Sequence, residues 1–351
     1  ANEAKTLAQQ VLEEEPSQRE ACEVACAVYL DRGDKATALG LVLRALLAHR
    51  AEPSQTNADL VCGVMKRCSV QDLLQVLMPD PNRVPQEQRV AIAEIVAYVG
   101  LILKDRGEVV KASQAYRAGV QMAPEHGSLC LNAMHTFSLR RDNLRALAMG
   151  CRYFEKLARA GVAAAASLHS IILGADAGGL TPVQGKEPLK LEQQHFKSKT
   201  DFLDAMAVGF TMTKLLYIIY PYTFEGQDAG TDVLPWRRGL RRALDEAESE
   251  AIGELPRTAI EEDALDLTAC ADHREVLLQL CAVLDRSRAG CDLHLTPIRN
   301  EHAYFASICD LVQISVPRPP LGKATKKIFV VGDSHTLSSA WQTVRVPTAS
   351  S

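Results

Sequence analysis

IVAYVGLILKDRGEVVKASQAYRAGVQMAP, residues 95–124, carries the clearest structural signal in the chain. Its small and apolar residues recur every three or four positions on both sides of a turn at Arg106-Gly107. This spacing predicts two helices packed against each other. Glycine suits the turn because its backbone reaches conformations that strain a bulkier residue. The residues that form the pattern are Val96, Val99, Gly100, Leu103, Ala112, Tyr116 and Gly119.

The same pattern occurs twice more, which predicts an array of helical hairpins. The interval from Leu103 to Phe137 is 34 residues, and the copy it defines contains Cys130, Ala133, Met134, Phe137, Ala146, Gly150 and Tyr153. An earlier copy contains Cys22, Ala25, Cys26, Tyr29, Gly33, Ala38, Val42 and Ala45. Because Cys26 and Gly100 are 74 residues apart, one degenerate copy fits between them, across about residues 54–85.

The repeat resembles the tetratricopeptide repeat, whose unit of about 34 residues is a pair of antiparallel helices. The resemblance covers about residues 4–160, although the family's tryptophan is absent and Arg141 replaces the turn glycine. It implies a curved solenoid whose concave face takes a peptide or a partner helix. First-helix residues are the candidates for that face: Ile95, Tyr98, Ile102, Asn132 and His135.

Residues 161–316 are predicted to be helical, either as diverged repeats or as a separate helical domain. An arginine cluster stands out there, comprising Arg237, Arg238, Arg241 and Arg242. One interpretation is a site for an anion or a phosphorylated partner. The other is a solvated helix face, because Asp245 and Glu246 follow Arg241 and Arg242 at the i,i+4 spacing of helical ion pairs.

Residues 317–351 combine a proline-rich linker with a short motif. The apolar run Ile328–Val331 predicts the one strand of an otherwise mostly α chain. It leads into Gly332-Asp333-Ser334, and the segment 326–345 resembles the first block of SGNH/GDSL hydrolases. The resemblance implies that Ser334 is a nucleophile, whereas a turn that caps the next helix is the structural alternative.

The 17 residues after Ser334 contain no acid and no histidine except His335. A serine without a general base is a poor nucleophile at neutral pH. We therefore expect the chain as it stands to be an interaction scaffold that does not catalyse a reaction. The alternative is the N-terminal part of a longer serine esterase.

Composition narrows the class of protein further. A net charge of -4 argues against general nucleic-acid binding, which needs a basic surface. The longest apolar stretch, residues 202–219, contains Asp204 and Lys214, so we expect no membrane span. Ten cysteines without a C-x-x-C pair predict a reduced, cytoplasmic setting. The sequence predicts neither a cofactor nor a metal, because its acid–histidine pairs have no third ligand.

Overall fold

The computed structural model describes residues 2–15, 18–48, 55–80, 83–174, 189–219, 240–245 and 270–313. These residues are mostly helical and contain no strand, which confirms the mostly α fold class. The predicted strand at 328–331 lies outside them. The chain divides into two compact units, Ala1–Ala123 (unit 1) and Pro124–Ser351 (unit 2).

Unit 1 contains three successive pairs of helices that follow an N-terminal helix. Each first helix contacts the next first helix: α2 contacts α4, and α4 contacts α6. The second helices also contact one another in chain order, because α5 contacts both α3 and α7. The helices are α1 (Asn2–Glu14), α2 (Arg19–Asp31), α3 (Lys35–Ala48), α4 (Gln55–Arg67), α5 (Val70–Leu77), α6 (Gln86–Asp105) and α7 (Val109–Met122).

The two clear hairpins of unit 1 share one turn geometry. Gly33 and Gly107 follow α2 and α6 with φ angles of 78° and 81°. The next residue then donates its backbone N–H back into the helix: Asp34 to the Tyr29 carbonyl at 2.9 Å and Glu108 to the Leu103 carbonyl at 2.8 Å. This is the Schellman ending, in which a left-handed residue satisfies carbonyls at the end of a helix.

The repeat positions form the core of these hairpins, as the sequence predicts. Nearly every position in the three clear copies is buried. A Cβ on Gly100 would stand 3.2 Å from the Tyr116 ring, so the glycine permits close approach of α6 and α7. The degenerate copy is also a helix pair, α4 and α5, with a capping box formed by Ser69 and Asp72.

Unit 2 opens with the hairpin of α8 (Gly127–Leu139) and α9 (Asn143–Arg159). Its turn has the same form, because Arg141 adopts a φ of 61° and Asp142 donates to the Phe137 carbonyl at 2.9 Å. The arginine therefore occupies the left-handed position that glycine occupies in unit 1. The other helices are α10 (Ala163–Leu173), α11 (Lys199–Ile219), α12 (Cys270–Arg288) and α13 (Arg299–Gln313), and residues 240–245 are also helical.

Helix α11 is the centre of unit 2. It contacts α8, α9, α12 and α13, and its Phe210 ring stacks on Phe305 of α13 with centroids 4.4 Å apart. Among the described residues, α11 alone is long and apolar enough to cross a membrane. Most of that stretch is buried in unit 2, as expected for the core helix of a globular unit.

Cysteine thiols contribute to the cores of both units. Of the nine cysteines that the structure characterises, all are free, eight are buried and Cys291 is half-buried. Burial raises the pKa of Cys26 to about 12, because the thiolate would lose its hydration. The neighbouring Cys309 thiol of α13 and burial raise the pKa of Cys281 on α12. These thiols act as small core residues.

Candidate interaction surface

One side of α2 is exposed along its whole length. Glu20, Val24, Ala27 and Asp31 follow the helical period, and each is exposed. Val24 exposes 40% of its surface, although the neighbouring positions Ala25 and Cys26 are buried. The opposite side of α2 thus supplies the core, and this side remains open.

The equivalent side of α4 and α6 is open as well. On α4 the exposed residues are Asp59, Gly63, Lys66 and Arg67. On α6 the positions that match Glu20, Val24, Ala27 and Asp31 are Glu94, Tyr98, Leu101 and Asp105, which are exposed or half-buried. Leu101 exposes 39% of its surface. We call these twelve residues of α2, α4 and α6 the first-helix face.

Ion pairs connect neighbouring helices across the first-helix face. Arg67 of α4 pairs with Asp31 of α2 at 2.7 Å. Arg106, at the end of α6, pairs with Asp59 of α4 at 2.6 Å. Exposed pairs of this kind contribute about 0.2–1 kcal/mol each, so they add little to the stability of the unit.

The second helices have their own connections. Lys35 of α3 pairs with Asp72 of α5 at 3.0 Å. The Nζ of Lys111 on α7 donates to the carbonyls of Met65 and Cys68 at the end of α4. This lysine satisfies carbonyls that the helix itself cannot, and its charge complements the helix dipole.

Three of the predicted partner-binding residues lie on α6. Tyr98 is half-buried and occupies the position of Val24, on the first-helix face. Its partial burial raises the pKa of its phenol. Ile95 is half-buried, and Ile102 exposes only 8% of its surface, so a partner could contact little of it.

The other two predicted residues of that set, Asn132 and His135, lie on α8 in unit 2. The Asn132 amide donates to the Ser128 carbonyl of its own helix at 2.9 Å. His135 is equivalent to Leu101, yet its Nε2 lies 4.0 Å from a carboxylate oxygen of Glu301 on α13. Burial raises the pKa of Glu301, whereas the nearby Lys214 acts in the opposite direction.

Beside Glu301, α11 and α13 share further polar contacts. Lys214 lies over the Tyr304 ring, 4.7 Å from its centroid. The hydroxyls of Tyr304 and Thr211 are 2.9 Å apart. The Tyr304 pKa is raised, chiefly by burial. These groups join helices within the core of unit 2, where buried polar atoms need partners.

Two members of the predicted arginine cluster lie in described residues, and both are exposed. Arg241 donates from Nη2 to the Leu173 carbonyl at the end of α10, at 3.2 Å. Arg242 has no such contact with a described residue. Arg237 and Arg238 lie outside the described residues, as do Gly332, Asp333 and Ser334.

The sequence interpretation missed the exposed apolar residues Val24 and Leu101 and the interhelical ion pairs. A signal for the face does exist in the sequence, because Glu20, Val24, Ala27 and Asp31 share one side of a 3.6-residue period. The ion pairs have no such signal, since they join residues 36 or more positions apart.

The described residues contain no group of three or more metal-ligating side chains. No protein-family model matches the chain, and no curated protein matches it. The candidate functional site is the first-helix face, because its exposed apolar and charged residues recur on three successive first helices.

Proposed function

We propose that unit 1 is a tetratricopeptide-type stack that acts as a protein-interaction scaffold, with a peptide or a partner helix bound on the first-helix face. One observation carries the proposal: the first helices of three successive hairpins contact one another in order and leave equivalent sides exposed. Repeat arrays bind through such extended surfaces, built from the same position in each unit.

The chemistry of the face supports binding to a protein. Val24, Tyr98 and Leu101 offer apolar contact area, and charged residues surround them. An apolar centre with a polar rim is the usual anatomy of a protein interface. The free cysteines support a reducing, cytoplasmic setting for the scaffold.

Selection from a displayed library of random peptides against the full chain tests the proposal. We expect the selected peptides to bind the wild type and to lose at least about ten-fold in affinity to Leu101→Arg, because an arginine in a desolvated apolar contact is costly. Isothermal titration calorimetry gives the affinities.

Val110→Arg is the matched control. Val110 lies on the second helix α7, is not one of the twelve residues of the first-helix face, and exposes 50% of its surface. The same substitution there should leave the affinities unchanged. Peptides that bind both variants equally well, or a selection that yields no binder, would contradict the proposal.

A second candidate function rests on the motif Gly332-Asp333-Ser334, which directly follows a β-branched run. Under this second proposal, the chain is the N-terminal part of an SGNH-type serine esterase. Hydrolysis of a short acyl ester by the chain, compared with Ser334→Ala, decides between the two functions. Turnover that disappears in the variant would favour the esterase, whereas the scaffold proposal expects no turnover from either protein.

A further inference from the structure

The turn between α4 and α5 has an exposed serine behind two bases. The sequence there is Lys66-Arg67-Cys68-Ser69-Val70, in which Lys66, Arg67 and Ser69 are exposed. Two bases at the third and second positions before a serine, with an apolar residue after it, are typical of the sites that kinases with an acidic substrate groove modify. The segment therefore has the charge pattern of a phosphorylation site.

Lysines of two neighbouring helices lie next to the same serine. Lys111 of α7 donates to the Cys68 carbonyl at 3.4 Å, directly before Ser69. Lys35 of α3 lies 3.0 Å from a carboxylate oxygen of Asp72, and the Ser69 hydroxyl donates to that same oxygen at 2.8 Å. One oxygen of Asp72 thus joins the serine hydroxyl to the Lys35 ammonium.

The Cys68 thiol is exposed to the field of these charges. Burial and Asp72 raise the pKa of Cys68, whereas Lys35, Lys111 and Arg67 act in the opposite direction. Cations from α3, α4 and α7 therefore surround the residue that precedes Ser69.

The two lysines can bind a phosphate group on Ser69. Lys111 donates to neutral carbonyls, so its positive charge is not cancelled there. A phosphorylated Ser69 oxygen has no proton to donate to Asp72, and the negative phosphate repels that carboxylate. Lys35 can then exchange Asp72 for the phosphate, which lysine binds as a point charge.

The short helix after Ser69 gives a kinase access to the site. Helix α5 has eight residues, the fewest among the described helices of unit 1. Val70 is buried in the folded turn, so a kinase binds this residue when the first turn of α5 opens. Opening a helix of two turns costs less free energy than opening a long one.

We propose that Ser69 is a phosphorylation site, which a protein kinase with an acidic substrate groove modifies with ATP, and that Lys35 and Lys111 bind the resulting phosphate. The Ser69 oxygen forms a bond to the γ-phosphorus, and the bond from that phosphorus to the β–γ bridging oxygen breaks. ADP leaves, and the hydroxyl proton passes to the catalytic carboxylate of the kinase. The modification requires no partner on the first-helix face.

Incubation of the full chain with MgATP and the catalytic subunit of cyclic-AMP-dependent protein kinase tests the site. We expect tandem mass spectrometry to find phosphate on Ser69. Arg67→Gln should lower the initial rate at least about ten-fold, because it removes a charge-assisted hydrogen bond to an acid of the kinase groove.

Two further variants serve as controls. Arg83→Gln should leave the rate unchanged, since the Arg83 side chain is 87% exposed but no serine follows it at that spacing. Ser69→Asn should remove the phosphate, while its side chain still accepts a hydrogen bond at the start of α5. Circular dichroism verifies that the variants retain the helicity of the wild type.

Phosphorus NMR of the phosphorylated chain tests the role of the lysines. The second pKa of a phosphoserine is about 6, and nearby cations lower it. We expect the phosphate pKa to lie below that value in the folded chain and to return to it in urea. In Lys35→Gln and in Lys111→Gln the pKa should be higher than in the wild type.

A wild-type chain without phosphate on Ser69 would overturn the proposal, as would Arg67→Gln phosphorylated as fast as the wild type. A phosphate pKa that is the same in the folded wild type, in urea and in both lysine variants would overturn it as well.

Discussion

The hairpin α6–α7 in unit 1 and the hairpin α8–α9 in unit 2 have the same turn and the same buried positions, but different surroundings. In unit 1 the outer side of the first helix is open, and Leu101 is exposed. In unit 2 the equivalent residue, His135, lies next to Glu301 of α13, and α11 packs on both helices of the hairpin. The repeat pattern therefore specifies a hairpin, and the helices packed against it decide whether its outer side stays exposed.

Glycines show how closely α11 packs on its hairpin. A Cβ on Gly127 of α8 would stand 2.5 Å from the Cβ of Asp204, and one on Gly150 of α9 would stand 2.5 Å from the Met212 sulphur. On α4 of unit 1, Gly63 has open space around it. Gly127 and Gly150 thus permit α11 to pack on its hairpin, whereas Gly63 lies open to solvent.

The largest expected effect comes from Gly127→Ala. The Asp204 Cβ is held by the α11 backbone, so the new methyl group has to displace one of the two helices. We expect the free energy of unfolding of unit 2 to fall by about 1–3 kcal/mol. Hydrogen exchange of α8 and α11, measured by mass spectrometry, locates the loss.

Gly63→Ala is the counterpart in unit 1, at an exposed helical position. It should stabilise unit 1 by up to about 1 kcal/mol, because alanine is the better helix former. Slower exchange of α4 would show this gain. A loss as large as that of Gly127→Ala would mean that the two environments do not differ as described.

The turns offer a second comparison, with smaller effects. Arg141 adopts the left-handed conformation that Gly107 adopts in unit 1, at a cost of about 1 kcal/mol for a residue with a Cβ. We expect Arg141→Gly to raise the midpoint of thermal unfolding and Gly107→Ala to lower it. If both substitutions shift the midpoint in the same direction, the turns are not equivalent.

The smallest expected effect is on the pH dependence of the free energy of unfolding. The structure characterises histidines only in unit 2, where burial, Arg288 and His294 lower the pKa of His302. Arg288 lies 2.8 Å from the His302 Nε2, so the neutral ring accepts its hydrogen bond. With the folded pKa below the unfolded value of about 6.5, this contribution to stability is complete above pH 6.5 and is lost as the pH falls.

We therefore expect acidification from about pH 6.5 to 5.5 to destabilise the wild type more than His302→Gln, by a few tenths of a kcal/mol. Glutamine can still accept from Arg288 but does not titrate. Glu301 and Asp204, whose pKa values are raised by burial, act in the opposite direction, but they are common to both proteins. Urea unfolding at the two pH values gives the difference, and identical pH dependence would contradict the expected role of His302.

The sequence predicts the hairpins because their pattern is local. Gly33, Gly107 and the small residues around them specify turns and close helix pairs within about 34 residues. The local repeat pattern does not predict that Ile102 is buried, because its burial depends on the helices packed against α6 in the folded unit. The same holds for α11, whose nearly continuous apolar sequence does not reveal which helices it contacts.

The pattern of thiols has a practical consequence. Cys22, Cys62, Cys130 and Cys281 are buried in helices of the two units, and no disulfide restrains the cysteines that the structure characterises. A maleimide can reach such a thiol only after its helix opens, whereas the half-buried Cys291 should react early and serve as an internal standard. The rates of alkylation at individual cysteines, read by mass spectrometry, would therefore map where the native chain first opens, without any introduced cysteine.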